Sequence, residues 1–342
     1  MRRWTVCLVL PGLAALLAAG PVEGQTSQGS QGAMPAAGQA GQAGQTGQAG
    51  QAEQAKQGSV AASADGAALM QEGDKAAAAN DYRTALAKYT AAAQADPKSY
   101  EAALNAGDSA YSLKDAKTAA AWFERAINID PDRETAYRFW GDALLRVGGD
   151  ASGAKQKFID AVVAEPYSLT AWKGLRQWAA MEGAAIAPPR IDRPAAPEVD
   201  EKNPKSVNLQ LDFGGTDERR HPGASAWMMY SLIRGGYHGD QFHKDYPKET
   251  EYRHSLKEED AALSMVAVTV AQTVQEKKIS RERLDESLRN LLNVNDAGML
   301  DCWILINGAD AGIERDYPAY RAEHRSLLHD YLDLFVVHGG QN

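Results

Sequence analysis

Apolar residues fall into three regimes along this chain. From Trp4 to Ala19 they run almost without a break, from Gln25 to about Ala64 large ones are nearly absent, and from residue 66 onward they recur at helical spacing. The first run follows Arg2 and Arg3 and leads into small residues, which predicts a secretory signal peptide over 1–24, cut after Gly24. Its 16 residues are broken by Pro11-Gly12, and a membrane-spanning helix needs about 20. Only if it were retained would it anchor the chain to a membrane. The second regime is built of Gly, Gln, Ala and Ser, with Gln at 39, 42, 45, 48, 51, 54 and 57. So little apolar surface cannot offset the entropy of ordering, so 25–64 is expected to be a disordered linker. Its flexible-chain reach is roughly 35 Å.

The third regime opens with a repeat. Gly73, Gly107 and Gly141 stand 34 residues apart and each precedes an aspartate, Asp74, Asp108 and Asp142. Downstream come Ala85, Ala119 and Ala154, then an aromatic at Tyr89, Phe123 and Phe158, then Ala92, Ala126 and Ala161. Asp96-Pro97, Asp130-Pro131 and Glu165-Pro166 close the three units. Small residues let two helix axes approach, the ring fills the groove between them, and proline stops the second helix. The third unit is one residue longer, read as an insertion in the Gly148-Gly149-Asp150 turn. This pattern resembles the tetratricopeptide repeat over roughly residues 66–168. A further helix from Leu169 to about Met181 carries Arg176 in the register of the earlier glycines, which predicts a solvent-facing cap. The module is thus 65–182, three helix pairs and a cap.

The resemblance implies a concave surface lined by the first helix of each pair, used to hold a peptide or a neighbouring helix. Its candidate residues are Met70, Asp74, Leu104, Asp108, Tyr111, Arg138, Phe139 and Asp142. Three aspartates in a ladder favour a basic or amide-rich segment. Some family members clamp a terminal carboxylate with Lys and Asn. Here the fifth positions are Met70, Leu104 and Arg138, and two of the three lack a donor.

A Pro-rich linker, 183–206, is expected to separate the repeats from a mostly helical domain over 207–342, giving an all-α fold in the main. Val207, Leu209, Leu211 and Phe213 alternate as in a strand, with Trp303–Ile306 as a mate unless that stretch is helical. Helices are predicted over Ala224–Arg234, Leu256 to about Gln275, Arg281–Leu292 and Pro318–Val337. Ser255-Leu256-Lys257-Glu258 opens the second as a capping box, ahead of Leu263, Val266, Val270 and Val274.

Charge and chemistry narrow the function without naming a reaction. The net charge of −9 argues against a general nucleic-acid binder, which needs a basic face. Of the two cysteines, Cys7 falls in the signal segment and Cys302 in an apolar setting, which predicts an inert core thiol and no disulfide. All histidines lie beyond residue 220: His221, His238, His243, His254, His324, His329 and His338. His238 and His243, with Asp240 or Glu251, have metal-ligating chemistry but no zinc spacing. No phosphate loop, dinucleotide fingerprint or paired-cysteine motif is present, and no cofactor is expected. The expected function is an exported scaffold that holds a protein or peptide partner in the repeat groove. The alternative is an enzyme with its site in the C-terminal domain, metal-assisted around His238 and His243, that uses the repeats for recruitment. A third arrangement has the C-terminal domain filling the groove in cis.

Overall fold

The computed structural model describes residues 4–9, 65–195, 198–199, 206–211, 221–237 and 241–339. The expected linker 25–64, and the expected signal segment apart from residues 4–9, lie outside these. Seven helices form the first part of the chain: α1 (65–78), α2 (Tyr82–Ala95), α3 (Tyr100–Ser112), α4 (Ala116–Ile129), α5 (Glu134–Ala143), α6 (Ala151–Ala164) and α7 (Leu169–Glu182). Aspartate or serine caps recur at their starts. Asp81, Asp115 and Asp150 accept the N–H of Thr84, Thr118 and Gly153, and Ser99 and Ser168 do the same for Ala102 and Ala171. Each such cap stabilises its helix by ~1 kcal/mol.

The periodic residues are the interior of the repeats. Ala85, Tyr89, Ala92, Ala119, Phe123, Ala126, Ala154, Phe158 and Ala161 are all buried. A Cβ added at Gly73 would stand 2.5 Å from the Tyr89 ring, at Gly107 2.5 Å from Phe123, and at Gly141 2.9 Å from Phe158. The glycines are there because the rings need that space.

The extra residue of the third unit is not in the turn. Lys114 and Gly149 hold the same left-handed position before their capping aspartates, with φ of 63° and 67°. The difference lies one turn earlier, where α5 ends in a π-helical turn, Leu144–Gly148. The Asp150 N–H reaches back to the Leu144 carbonyl, six residues away, whereas Asp115 reaches back five, to Ala110. A wider helical turn absorbs the insertion and leaves the turn geometry unchanged.

One side of helix α7, running through Leu169, Lys173, Arg176, Ala180 and Met181, is exposed. Ala171, Gly174, Leu175, Trp178 and Ala179 are buried. Gly174 lies against the Phe158 ring of the preceding helix, where an added Cβ would be 2.8 Å away. Arg176 is exposed and lies over Trp172. The buried side of α7 packs on α6, where Trp178 Nε1 donates to the Ala151 carbonyl, and joins a larger core. One apolar core runs from Tyr137, Phe158 and Trp178 through Val266, Leu291 and Ile304 to Tyr331 and Val336. The first two repeats have only small separate clusters.

The C-terminal half is helical: α8 (Trp227–Gly236), the short α9 (Phe242–Asp245), α10 (Leu256–Lys277), α11 (Glu286–Asp296), α12 (Leu300–Trp303) and α13 (Tyr317–Tyr331). Helices α12 and α13 continue into π-helical turns, Ile304–Gly308 and Leu332–Val336. The stretch weighed as a strand mate, Trp303–Ile306, is therefore helical. The expected strand is present as β4 (Ser206–Leu211), antiparallel to β1 (Trp4–Val9) on one side and β3 (Glu198–Val199) on the other. A second small pair joins β2 (Ala185–Ile186) to β5 (Val337–His338).

Residues 183–195 of the expected linker lie strapped to this half. Trp303 Nε1 donates to the Pro189 carbonyl, Asn290 to that of Arg190, and the Asp192 N–H to Ser287 Oγ. Helix α13 docks on α6: Tyr317 donates to the Val163 carbonyl at 2.6 Å, Arg321 to that of Ala164, and Arg321 and Arg325 both pair with Asp132. Cys302 is fully buried, and burial pushes its thiol up to about 12. A thiol held protonated to that degree is inert. No helix of the described residues is long and apolar enough to cross a membrane.

Candidate functional site

Helices α1, α3, α5 and α7 are the first helices of successive pairs, and the candidate groove residues sit on the first three of them. Four have an apolar role. Met70 and Leu104 are half-buried and pack against the small clusters between pairs. Phe139 meets the Phe123 ring edge to face at 6.3 Å. Tyr111 is half-buried beside it, with the Lys114 ammonium 5.5 Å from its ring centroid. Arg138 is held within its own helix by Glu134, Nε to Oε2 at 2.8 Å, and lies over the Phe139 ring.

The three aspartates differ. Asp74 accepts from the Tyr89 hydroxyl at 2.8 Å. Asp142 accepts from Arg146 Nε at 3.1 Å. Asp108 has no hydrogen-bond or ion-pair partner among the described residues. It is open to solvent, yet the concavity around it withholds enough water that burial pushes its carboxyl above the usual carboxylate range. Burial is the main cause that raises the Tyr89 and Tyr111 hydroxyls, and the Asp108 charge adds to that of Asp74 at Tyr89 and to that of Asp142 at Tyr111. The ladder thus has an unpaired middle rung between two that are already engaged. Among the described residues, no hydrogen bond or ion pair joins these eight positions to any residue after 182. The C-terminal half approaches the array through α6, Tyr167 and Asp132 instead.

Of the histidine segment, His238 and Asp240 lie outside the described residues. His243 is exposed, with Nδ1 3.2 Å from the Glu249 carbonyl, and Glu251 is exposed. Among the described residues, no three His, Cys, Asp or Glu side chains are grouped to hold a metal.

A polar cluster that the sequence reading did not single out lies at the start of α10. Glu259, fully buried, accepts from Arg193 Nη1 at 2.5 Å and from Tyr230 at 2.9 Å, and lies 3.0 Å from His254 Nε2. His254 Nδ1 is 2.7 Å from Asp310 Oδ2. Glu258 accepts from Arg234 Nε at 3.0 Å and from Tyr252 at 2.9 Å. Ser255 does cap α10 by accepting the Glu258 N–H at 3.3 Å. The reciprocal half of the expected capping box gives way, because the Glu258 carboxylate is drawn to Arg234 and Tyr252. A signal for the cluster was available: Glu259, Leu263, Val266 and Val270 follow 4-3-4 spacing, which puts a carboxylate on the buried face of α10.

Residues 70–134 match the family model of the tetratricopeptide repeat. No curated protein matches the chain. Among solved structures, it is similar to the first such domain of Spaghetti (RPAP3) bound to the HSP90 peptide SRMEEVD, at 23% identity over 35% of this chain and 94% of that one, with a TM-score of 0.32. The Arabidopsis OM64 domain aligns at 20% identity over 35% of this chain and 98% of its own, with a TM-score of 0.33. The Sgt2 domain from Aspergillus fumigatus aligns at 26% identity over 40% and 89%, with a TM-score of 0.32. With the glycine-on-ring packing and the capped helix pairs, the family match identifies residues 70–134 as a tetratricopeptide-repeat segment.

Proposed function

We propose that the chain is a protein-interaction scaffold whose repeat groove holds a basic segment, extended or helical, anchored at Asp108. The observation that carries this reading is the unpaired Asp108 carboxylate, flanked by rungs already committed to Tyr89 and Arg146. A Lys or Arg placed there gains a charge partner where water screens poorly, and the Tyr111 and Phe139 rings lie on the same face to pack its stem or receive its charge. A terminal carboxylate placed there would be repelled by Asp108.

The test is fluorescence anisotropy with the full chain and two labelled decapeptides, one rich in Lys and Arg and one rich in Glu. The basic peptide is expected to bind more tightly, to weaken with salt, and to lose about tenfold in affinity on Asp108→Asn, or ~1.4 kcal/mol. Equal binding of both peptides, or an unchanged affinity in the variant, would overturn the assignment. Export belongs to the same proposal and is supported by the charged, apolar and small-residue order of residues 2–24. A mature N-terminus at Gln25 in protein from its native cell is the expected result, and one at Met1 would count against export.

A further inference from the structure

The polar cluster of the C-terminal half opens onto a cavity of about 420 Å³, within the ~300–1,000 Å³ range of small-molecule sites. Its walls include Arg193, Arg234, His254, Tyr230 and Asp310, together with the backbone at Gly308. The two glutamates that hold these groups are not in the wall. Glu258 and Glu259 lie behind it, 1% and 0% exposed. The network is therefore layered, with its negative charge withheld and its cations presented to the cavity.

His254 is one of those cations by geometry. Both ring nitrogens face carboxylate oxygens, at 3.0 and 2.7 Å, and only the imidazolium donates to both. Arg193 gives one N–H from each terminal nitrogen, to Glu259 and to the Gly308 carbonyl. A second N–H remains on each. Arg234 is 8% exposed and is gripped through Nε by Glu258 and through Nη1 by the Tyr230 oxygen, with a further hydrogen bond to the Tyr252 hydroxyl. The Tyr230 hydroxyl donates to Glu259, so it offers a ligand no further proton. Of the wall carboxylates, Asp310 is engaged by His254 and Asp192 is paired with Arg190 at the rim. What remains for an occupant is donors, the second N–H on each Arg193 terminal nitrogen beside the Arg234 guanidinium, and guanidinium groups pre-oriented by buried glutamates suit an oxyanion.

We propose that this cavity binds a small molecule through an oxyanion group, a carboxylate or a phosphate, taken by Arg193 and Arg234 beside the charged His254. The site is independent of the repeat groove and gives the C-terminal half a ligand of its own.

The experiment titrates the full chain with inorganic phosphate, with malonate, and with sodium chloride at matched ionic strength. The readouts are the side-chain Nε–H resonances of Arg193 and Arg234 and the thermal midpoint. Phosphate or malonate is expected to shift both resonances along a saturable curve and to raise the midpoint beyond the chloride control. Saturation by phosphate alone assigns a phosphorylated ligand, and saturation by malonate alone a carboxylate. Arg193→Lys keeps the charge but loses the fork, and is expected to weaken binding at least tenfold. Asp108→Lys should leave it unchanged. Shifts no larger than with chloride in the wild-type chain would overturn the proposal. So would saturable binding that persists at full strength in a folded Arg193→Lys variant. If that variant does not fold, the wild-type titration decides alone.

Discussion

Replacing Phe123 by alanine is expected to lower the unfolding free energy by ~3–5 kcal/mol, the usual cost of emptying an aromatic site in a packed core. Phe123 is fully buried, and the Gly107 backbone lies so close that even a methyl group there would stand 2.5 Å from the ring. The same contact predicts the reverse perturbation. Gly107→Ala overpacks the site, and such insertions cost ~1–3 kcal/mol. The double variant should cost less than the sum, because the added methyl occupies part of the cavity left by the ring. Urea denaturation followed by circular dichroism measures all three. A loss below ~1 kcal/mol for Phe123→Ala would mean that the ring does not hold the second pair together.

Glu259→Gln is expected to cost ~3–5 kcal/mol, because removing one member of a buried ion-pair network leaves its partners uncompensated. The partners are Arg193 at 2.5 Å, His254 at 3.0 Å and Arg234 at 3.9 Å, around a carboxylate with no exposure. A pH signature accompanies the loss. Burial alone would lower the His254 pKa, but hydrogen bonds to Glu259 and Asp310 hold it above the ordinary value. A histidine raised by folding stabilises fully below its unfolded pKa, about 6.5. That contribution disappears as pH rises through the folded value. Wild-type stability should therefore decline as pH rises above about 6.5 through a His254-linked step. The step should shrink in Glu259→Gln. Denaturation at pH 6 and pH 9 separates the two chains, and parallel curves would sink this account.

The repeats were legible because their chemistry is local and periodic. Gly107 and Phe123 are 16 residues apart, and the same pairing recurs at Gly73 with Tyr89. Spacing alone therefore carries the packing. The aspartate ladder was legible for the same reason. That Asp108 alone is unpaired was not, because it depends on Tyr89 and Arg146 being drawn to the other two. The third unit misled by one turn, since a π-helical turn and a longer loop insert the same residue into the sequence. The polar cluster was hidden by distance along the chain. Glu259 meets Arg193 across 66 residues and Tyr230 across 29, and no pattern in any single window records that meeting.

The single core that joins the third helix pair to the C-terminal half makes the array a cantilever. Its root is α5–α6–α7, welded into the large core, and its free arm is α1–α4, held by smaller clusters. In a linear array each unit leans only on its neighbours, so compliance grows toward the free end. Asp142 stands at the root, Asp108 one step out, and Asp74 near the tip. An occupant that grips only the inner rungs meets a surface already fixed, whereas one that spans all three must also still the arm. The groove therefore has a length scale built into it, set by where the stiff part of the protein stops.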